Sequence, residues 1–295
     1  MERFGEFSTE TAPEKEKILI ETASIVKANP NHPDYTADKA VAKAVNKYSG
    51  LIAALDGVGS GGPDSAKAAE ILQQDLVKIE INNPPTINEG INYLKTTILR
   101  ASEKIKRLQE EIRDPNVDTT VSAGMVCLSP NQEKYFLVTV NVGDSRVYRY
   151  NLNNQSLQQL TRDHSFVQEL VDKGIIPPEK AFYHPKRNII TRSVGSIENA
   201  EEIDVNVTEI QDGDIFFAVS DGVTDNIKPE SLPFAIKSEI ENAYDSKGKI
   251  NLKKFITGIS QRAINIQTET QAPHAKPDDI CIAALRVEPK YNRKI

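Results

Sequence analysis

Four apolar runs with the composition of β-strands each border an aspartate, and this arrangement restricts the folds open to the chain. Asp56 follows LIAAL, Asp144 follows FLVTVNVG, Asp221 follows IFFAVS, and Asp278 stands just before ICIAALRV. A carboxylate at a strand end projects from a rigid sheet rather than from a loose loop. Because the end of one antiparallel strand lies beside the start of its neighbour, we expect Asp56, Asp221 and Asp278 to share one sheet edge.

Carboxylates gathered at one edge repel one another unless cations lie between them. Mg²⁺ and Mn²⁺ are hard divalent cations that prefer oxygen ligands, so they are the expected occupants. One Asp-Gly pair after a strand is most often only a turn. The prediction of a metal site therefore depends on the combination of these aspartates and on the residues around them.

The chain separates helix-rich stretches from strand-rich ones. Helices are predicted over residues 63–80, 87–113, 232–241 and 252–269. Strands are predicted over 40–45, 50–55, 202–208, 214–220 and 279–287, and short alternating segments over 119–163 are typical of an antiparallel meander. Residues 17–27 fit either a strand or a short helix. Because strands and helices do not alternate along the chain, the predicted class is α+β.

Composition argues against several kinds of partner. The formal net charge of −6 disfavours nucleic-acid binding, which usually requires a basic face. No apolar run approaches the roughly 20 residues of a membrane helix, and the polar first residues do not resemble a signal peptide. Cys127 and Cys281 lie in apolar segments and are expected to be buried free thiols. We expect a cytoplasmic monomer with a mobile arm over 1–16 and one domain over 17–295.

Six motifs occur in a characteristic order along the chain. They are DGVGS at 56–60, NVGDSRVYRY at 141–150, LTRDHS at 160–165, RSVGS at 192–196, VSDGVTDNI at 219–227 and PDDICIAAL at 277–285. Together, over residues 38–287, they resemble the metal-dependent protein serine/threonine phosphatases of type 2C. The resemblance implies a sandwich of two antiparallel β-sheets flanked by a helix pair on each outer face, with residues 166–200 as a flap beside the site.

The resemblance also implies a centre for two Mg²⁺ or Mn²⁺ ions. Asp56 would bridge the ions, the Gly57 carbonyl would bind one of them, and Asp221 and Asp278 would complete the shell of the other. Asp144 matches the position of a third, weaker metal site, although a turn with a local ion pair is an equal alternative for it. A metal-bridging water would then attack phosphoserine or phosphothreonine of a protein substrate.

The family's acidic pair near the amino end is incomplete here. Ala37 stands where the family has glutamate. Asp38 is the preferred acidic residue, with a catalytic role beside Asp56 and Asp221, and Asp34 is the alternative if the register differs.

The family's phosphate-binding arginine has no clear match in this chain. Lys27, Arg187 and Arg192 are the candidate phosphate-binding cations. His164 is expected to be a structural or flap-anchoring residue. The leading interpretation is an active phosphatase. A catalytically weak member that serves as a binding or scaffold module, and a hydrolase of small phosphoesters or nucleic acid, are the alternatives.

Overall fold

The computed structural model describes residues 18–59, 63–131, 133–269 and 274–289. The arm predicted over 1–16 lies outside the described residues. The assignment of residues 17–295 to one domain stays a prediction.

Two five-stranded antiparallel sheets form the centre of the fold. The strands are β1 Ile18–Lys27, β2 Lys39–Asn46, β3 Ser49–Leu55, β4 Gly57–Val58, β5 Asp118–Thr119, β6 Val121–Leu128, β7 Tyr135–Val142, β8 Arg146–Asn151, β9 Ser156–Gln159, β10 Asp204–Glu209, β11 Asp214–Val219 and β12 Ile280–Pro289. The first sheet has the order β10-β7-β6-β3-β2, and the second has the order β1-β12-β11-β8-β9. The short strands β4 and β5 pair separately beside them.

Helix pairs cover the outer faces of both sheets. The helices are α1 Pro63–Val77, α2 Ile87–Ile112, α3 Phe166–Asp172, α4 Pro178–Ala181, α5 Asp221–Thr224, α6 Leu232–Asn242 and α7 Leu252–Thr268. Helices α1 and α2 pack against the first sheet, and α6 and α7 pack against the second. The long helix α2 starts at a capping box, in which the Glu89 carboxylate accepts a hydrogen bond of 2.8 Å from the Thr86 amide.

Three apolar layers hold the sandwich together. The layer between the sheets contains Ile52 and Leu137 from the first sheet and Phe216 and Leu285 from the second. The other two layers lie between each sheet and its helix pair. Burial of these side chains is the main source of stability, and it aligns the ends of strands from opposite sheets.

The structure confirms the predicted α+β sandwich with flanking helix pairs. Within the ambiguous segment 17–27, residues 18–27 form strand β1, which pairs with β12 along its whole length. The expected meander over 119–163 is instead divided: β6 and β7 belong to the first sheet, and β8 and β9 to the second. The chain crosses between the sheets at Gly143, whose φ of +110° suits glycine.

Candidate metal centre

Carboxylates from both sheets meet at one end of the sandwich. Asp56 follows β3 in the first sheet, whereas Asp221 follows β11 and Asp278 precedes β12 in the second. The expectation that all three share one sheet edge is therefore wrong for Asp56, because β3 faces the second sheet across the core rather than pairing within it. The side chains nevertheless interact: burial, and then the charge of Asp221, raise the pKa of Asp56.

Asp38 joins this group and Asp34 does not. Asp38 lies just before β2, is 1% exposed, and has a carboxylate oxygen, Oδ2, with no hydrogen-bond partner among the described residues. Burial raises the pKa of Asp38; the Ser220 hydroxyl opposes this shift by hydrogen bonding, and Asp278 adds to it. Asp34 is exposed on the preceding loop. A buried carboxylate with an unpaired oxygen requires a partner.

The backbone around Asp56 is tightly fixed. The Asp56 carbonyl accepts hydrogen bonds from the Thr120 amide (2.8 Å) and the Thr119 hydroxyl (2.9 Å). A Cβ at Gly57 would lie 2.7 Å from the Ala37 carbonyl oxygen. Only glycine allows the chain to pass at this distance, so the position of the Gly57 backbone is specified by packing.

Asp144 lies in the turn between β7 and β8, where the chain crosses from one sheet to the other. It is buried, and burial followed by the charge of Asp221 raises the pKa of Asp144. Asp144 also lines a cavity of about 310 Å³ that Asp221, Asp225 and Arg187 border. The structure therefore brings Asp144 to the edge of the carboxylate cluster.

Lys276 is the main residue that the sequence reasoning missed. Its ammonium nitrogen lies 2.5 Å from Asp221 Oδ2, 2.8 Å from Asp278 Oδ2 and 3.4 Å from Asp225 Oδ2. Burial, the largest single influence, would raise the pKa of Asp221, but the charge and hydrogen bond of Lys276, with smaller contributions from Asp56 and Arg146, together lower that pKa. Burial and the charge of Asp221 raise the pKa of Asp278 to about 7. The available signal was a lysine two positions before Asp278.

Asp279 was also missed, and it connects the cluster to the amino-terminal segment. Its two carboxylate oxygens accept hydrogen bonds of 2.6 Å from the backbone amides of Asn29 and Ala37. Ala37 immediately precedes Asp38, so this pair of bonds fixes Asp38 relative to Asp278. Asp279 positions the cluster rather than completing it.

The three predicted phosphate-binding cations lie in different surroundings. Arg187 lines the 310 Å³ cavity together with Asp144 and Asp221. Arg192 instead contacts His164 and Asp204, at 3.4 and 3.5 Å. Lys27 ends β1 opposite Ile280.

His164 joins the segment 166–200 to the sandwich. Its amide donates to the Gly143 carbonyl, and its carbonyl accepts from the Thr191 amide, each at 2.8 Å. Its ring nitrogen Nε2 lies 3.2 Å from Asp204 Oδ2. The expectation of a structural, flap-anchoring histidine agrees with these contacts.

The chemistry of this group suits hard divalent cations, since every donor is an oxygen. Among the described residues Asp38 Oδ2 has no hydrogen-bond partner, and the pKa values of Asp38, Asp56 and Asp144 are raised, so a bound cation would stabilise the charged form of these carboxylates. Within the described ranges, no three His, Cys, Asp or Glu side chains are already arranged to hold a metal ion. Instead, three of the carboxylates surround the Lys276 ammonium.

Comparisons with known proteins give the family. No family profile matches the chain. The serine/threonine phosphatase Stp of Listeria monocytogenes is 34% identical over 212 residues, which are 70% of this chain and 77% of that protein. The structure of serine/threonine phosphatase Stp1 from Staphylococcus aureus superposes with a TM-score of 0.75, at 23% identity, over 95% of this chain and 99% of that one. The catalytic domain of the phosphatase PstP, solved in complex with two manganese ions, gives a TM-score of 0.67 at 20% identity, over 92% and 99%.

The chain belongs to the serine/threonine protein phosphatases of type 2C, a metal-dependent family. The resemblance drawn from the six motifs is thereby confirmed. Among the helices of the described residues, none has the length and apolar character needed to span a bilayer.

Proposed function

We propose that this phosphatase hydrolyses phosphoserine and phosphothreonine in protein substrates at a two-metal centre at the end of the sandwich. Asp56 and the Gly57 carbonyl would hold the ions from the first sheet. Asp221 and Asp278 would hold them from the second. A pair of bound Mg²⁺ or Mn²⁺ ions supplies a nucleophilic water at neutral pH and charge stabilisation of the transferred phosphoryl group.

The remaining acidic residues have supporting roles in this proposal. Asp38 accepts a hydrogen bond from Ser220 and would orient and deprotonate water on the amino-terminal side of the centre. Asp144 would contribute to a third, weaker metal site.

The observation that carries the proposal is buried Asp38, one oxygen of which has no hydrogen-bond partner among the residues that the structure describes and whose pKa neighbouring carboxylates help to raise. An isolated buried charge of this kind is costly. A bound cation would remove that cost. The two manganese ions in the related PstP structure support the same assignment.

Asp56→Asn and Asp221→Asn should each remove nearly all phosphatase activity while leaving the protein folded. Each change removes one charged metal ligand and keeps the side-chain volume. Activity on a phosphothreonine peptide and calorimetric Mn²⁺ titration measure the two effects. Asp212→Asn is the matched control, because Asp212 is exposed on the turn before β11. Unchanged Mn²⁺ affinity and turnover in the first two variants would contradict the two-metal assignment.

We infer that Arg187 is the phosphate-binding cation. Its Nε is buried with no hydrogen-bond partner in the described part of the chain, and it lies 3.7 Å from Asp225 Oδ2. Hydrogen bonds to the Phe182 and His274 carbonyls hold its other two nitrogens. A fixed guanidinium beside the carboxylate cluster suits phosphate oxygens.

Arg187→Ala should raise the Michaelis constant for a phosphothreonine peptide about tenfold, which corresponds to about 1.4 kcal/mol. Arg192→Ala should change it less than about twofold, because the contacts of Arg192 are with Asp204 and His164. Lys27→Ala is measured in the same way, because Lys27 is the third candidate cation. If the Michaelis constants of all three variants stay within about twofold of that of the unsubstituted protein, the metal ions alone hold the phosphate.

A catalytically weak scaffold protein is the second candidate, favoured by the absence of a family-type phosphate-binding arginine. Hydrolysis of an artificial aryl phosphate only in the presence of Mn²⁺ would exclude it. Comparing phosphopeptides with nucleotides would then test the preference for protein substrates. We also propose that the protein is a monomer and that it acts in the cytoplasm. Its two buried free thiols support a reducing compartment.

A further inference from the structure

The Lys276 ammonium lies between carboxylates that the proposed function assigns to a metal ion. Asp221 and Asp278 are proposed ligands, and both contact Lys276 Nζ within 2.8 Å. The Lys276 side chain is 25% exposed, so most of it is removed from solvent. A positive charge of the chain itself therefore occupies the region that a divalent cation would share.

The backbone of Lys276 is anchored to the same segment. The Lys276 amide donates to Asn226 Oδ1 at 2.9 Å, and Asn226 Nδ2 donates to the Lys276 carbonyl at 3.0 Å. Asn226 is fully buried and also bonds the Gly222 carbonyl. Since Asn226 follows Asp221 and Asp225 closely in the chain, the lysine is tied to the element whose carboxylates it contacts.

The position of this charge has two opposite consequences. Without a metal ion, the ammonium reduces repulsion between Asp221, Asp225 and Asp278, which stabilises the folded chain. With a metal ion at Asp221 and Asp278, the same ammonium either repels the ion or must leave its carboxylate partners. Both outcomes weaken metal binding.

We propose that Lys276 is a built-in cation that holds these carboxylates together in the metal-free protein and competes with the metal ion for them. This inference rests on the proposed metal centre. It predicts that one residue lowers metal affinity and raises metal-free stability. A lysine with only a structural role would affect stability alone.

Substitution of Lys276 by Met tests both consequences, because Met keeps an unbranched stem and removes the charge. Lys276→Met should bind Mn²⁺ at least about tenfold more tightly in calorimetric titration. Its melting temperature should fall by several degrees in excess chelator. In saturating Mn²⁺ this deficit should shrink or reverse. Lys276→Gln, a second neutral variant, should behave in the same way.

Lys95→Met is the matched control. Lys95 lies on α2, is partly buried, and donates a hydrogen bond to the Ala200 carbonyl. Its replacement should leave Mn²⁺ affinity unchanged, and any loss of melting temperature should be the same with chelator and with Mn²⁺.

Three results would overturn the inference. Equal or weaker Mn²⁺ affinity in both Lys276 variants, with normal binding by the unsubstituted protein, would refute competition but leave the metal centre intact. No Mn²⁺ binding by any of the proteins would refute both. Failure of both variants to fold in saturating Mn²⁺ would also contradict the inference, because the metal ion should then replace the lost charge.

Discussion

At the scale of single residues, burial and charge are in conflict at Asp38. Its side chain is almost fully buried, and one oxygen lacks a hydrogen-bond partner within the described residues. Such a group destabilises the metal-free protein. A metal ion bound at the proposed centre would relieve this conflict. The Asp38 carboxylate would then be stabilised in the metal-bound state, in which the protein would work.

Asp38→Asn should lower turnover about 10- to 100-fold, the range for groups that orient a metal centre. Metal-free stability should stay the same or rise, because the substitution removes a buried negative charge. Turnover on a phosphopeptide and melting in chelator measure the two effects. The paired control is Asp34→Asn, since Asp34 lies exposed only four positions away. Equal losses of turnover in both variants would contradict the role given to Asp38.

The sequence predicts the site residues that lie inside short, recognisable motifs. Asp56 and Asp221 each lie at the end of an apolar run inside a recognisable motif. The roles of Lys276 and Asp279 depend on distant partners: Asp279 binds the amide of Asn29, which is 250 positions away. Nothing in a short window of sequence indicates such a contact, so the role of Asp279 is seen only in the fold. For Lys276 the one local signal is its position two residues before Asp278.

At the scale of elements, the segment 166–200 is held at several points rather than hanging free. His164 bonds Gly143 at its start and Thr191 near its end. Further along, buried Asp118 accepts hydrogen bonds of 2.6 Å from the Ser193 hydroxyl and the Gly195 amide. The segment that carries Arg187 is therefore held near both of its ends.

The His164 anchor should weaken in acid. Burial lowers the pKa of His164; Asp204 opposes this shift, and Arg192 and Arg162 add to it. The unfolded histidine, with a pKa of about 6.5, then takes up a proton at a pH where the folded one does not. Stability is therefore full above about pH 6.5 and is lost as the pH falls below it, by at most about 1.4 kcal/mol per pH unit.

Comparison of melting temperatures between pH 8 and pH 5 for the unsubstituted protein and His164→Asn isolates this effect. Asn retains an acceptor for the Gly143 amide, which bonds His164 Nδ1 at 3.2 Å, but it cannot titrate. The unsubstituted protein should lose more stability on acidification than the variant. Parallel curves would show that His164 does not contribute to the pH dependence.

The sequence predicts a helix or strand well where the residues of that segment alone specify its conformation. Helix α2, in which apolar residues such as Leu94, Ile98 and Ile105 recur at helical spacing, ends one residue before the end of the predicted range 87–113. Residues 17–27 were ambiguous because their strand conformation comes from pairing with β12 at the other end of the chain. The division of residues 119–163 between two sheets was also hidden, since alternating segments look the same whichever sheet they join.

At the scale of the whole molecule, the candidate centre depends on how the two sheets are packed. Asp56 comes from the first sheet, and Asp221 and Asp278 come from the second. Their separation is set by the layer between the sheets, to which Phe216 belongs. Phe255, equally buried, lies in the layer between the second sheet and its helices.

Phe216→Leu and Phe255→Leu should each reduce the free energy of unfolding by about 1–3 kcal/mol, as typical core substitutions do. Only Phe216→Leu should also weaken Mn²⁺ binding, because repacking between the sheets shifts Asp56 relative to Asp221. Denaturant melts measure the first effect, and calorimetric titration of the folded proteins measures the second. If both variants bind Mn²⁺ as tightly as the unsubstituted protein, the carboxylates of the two sheets adjust independently of the core between them, and the coupling of packing to metal affinity is wrong.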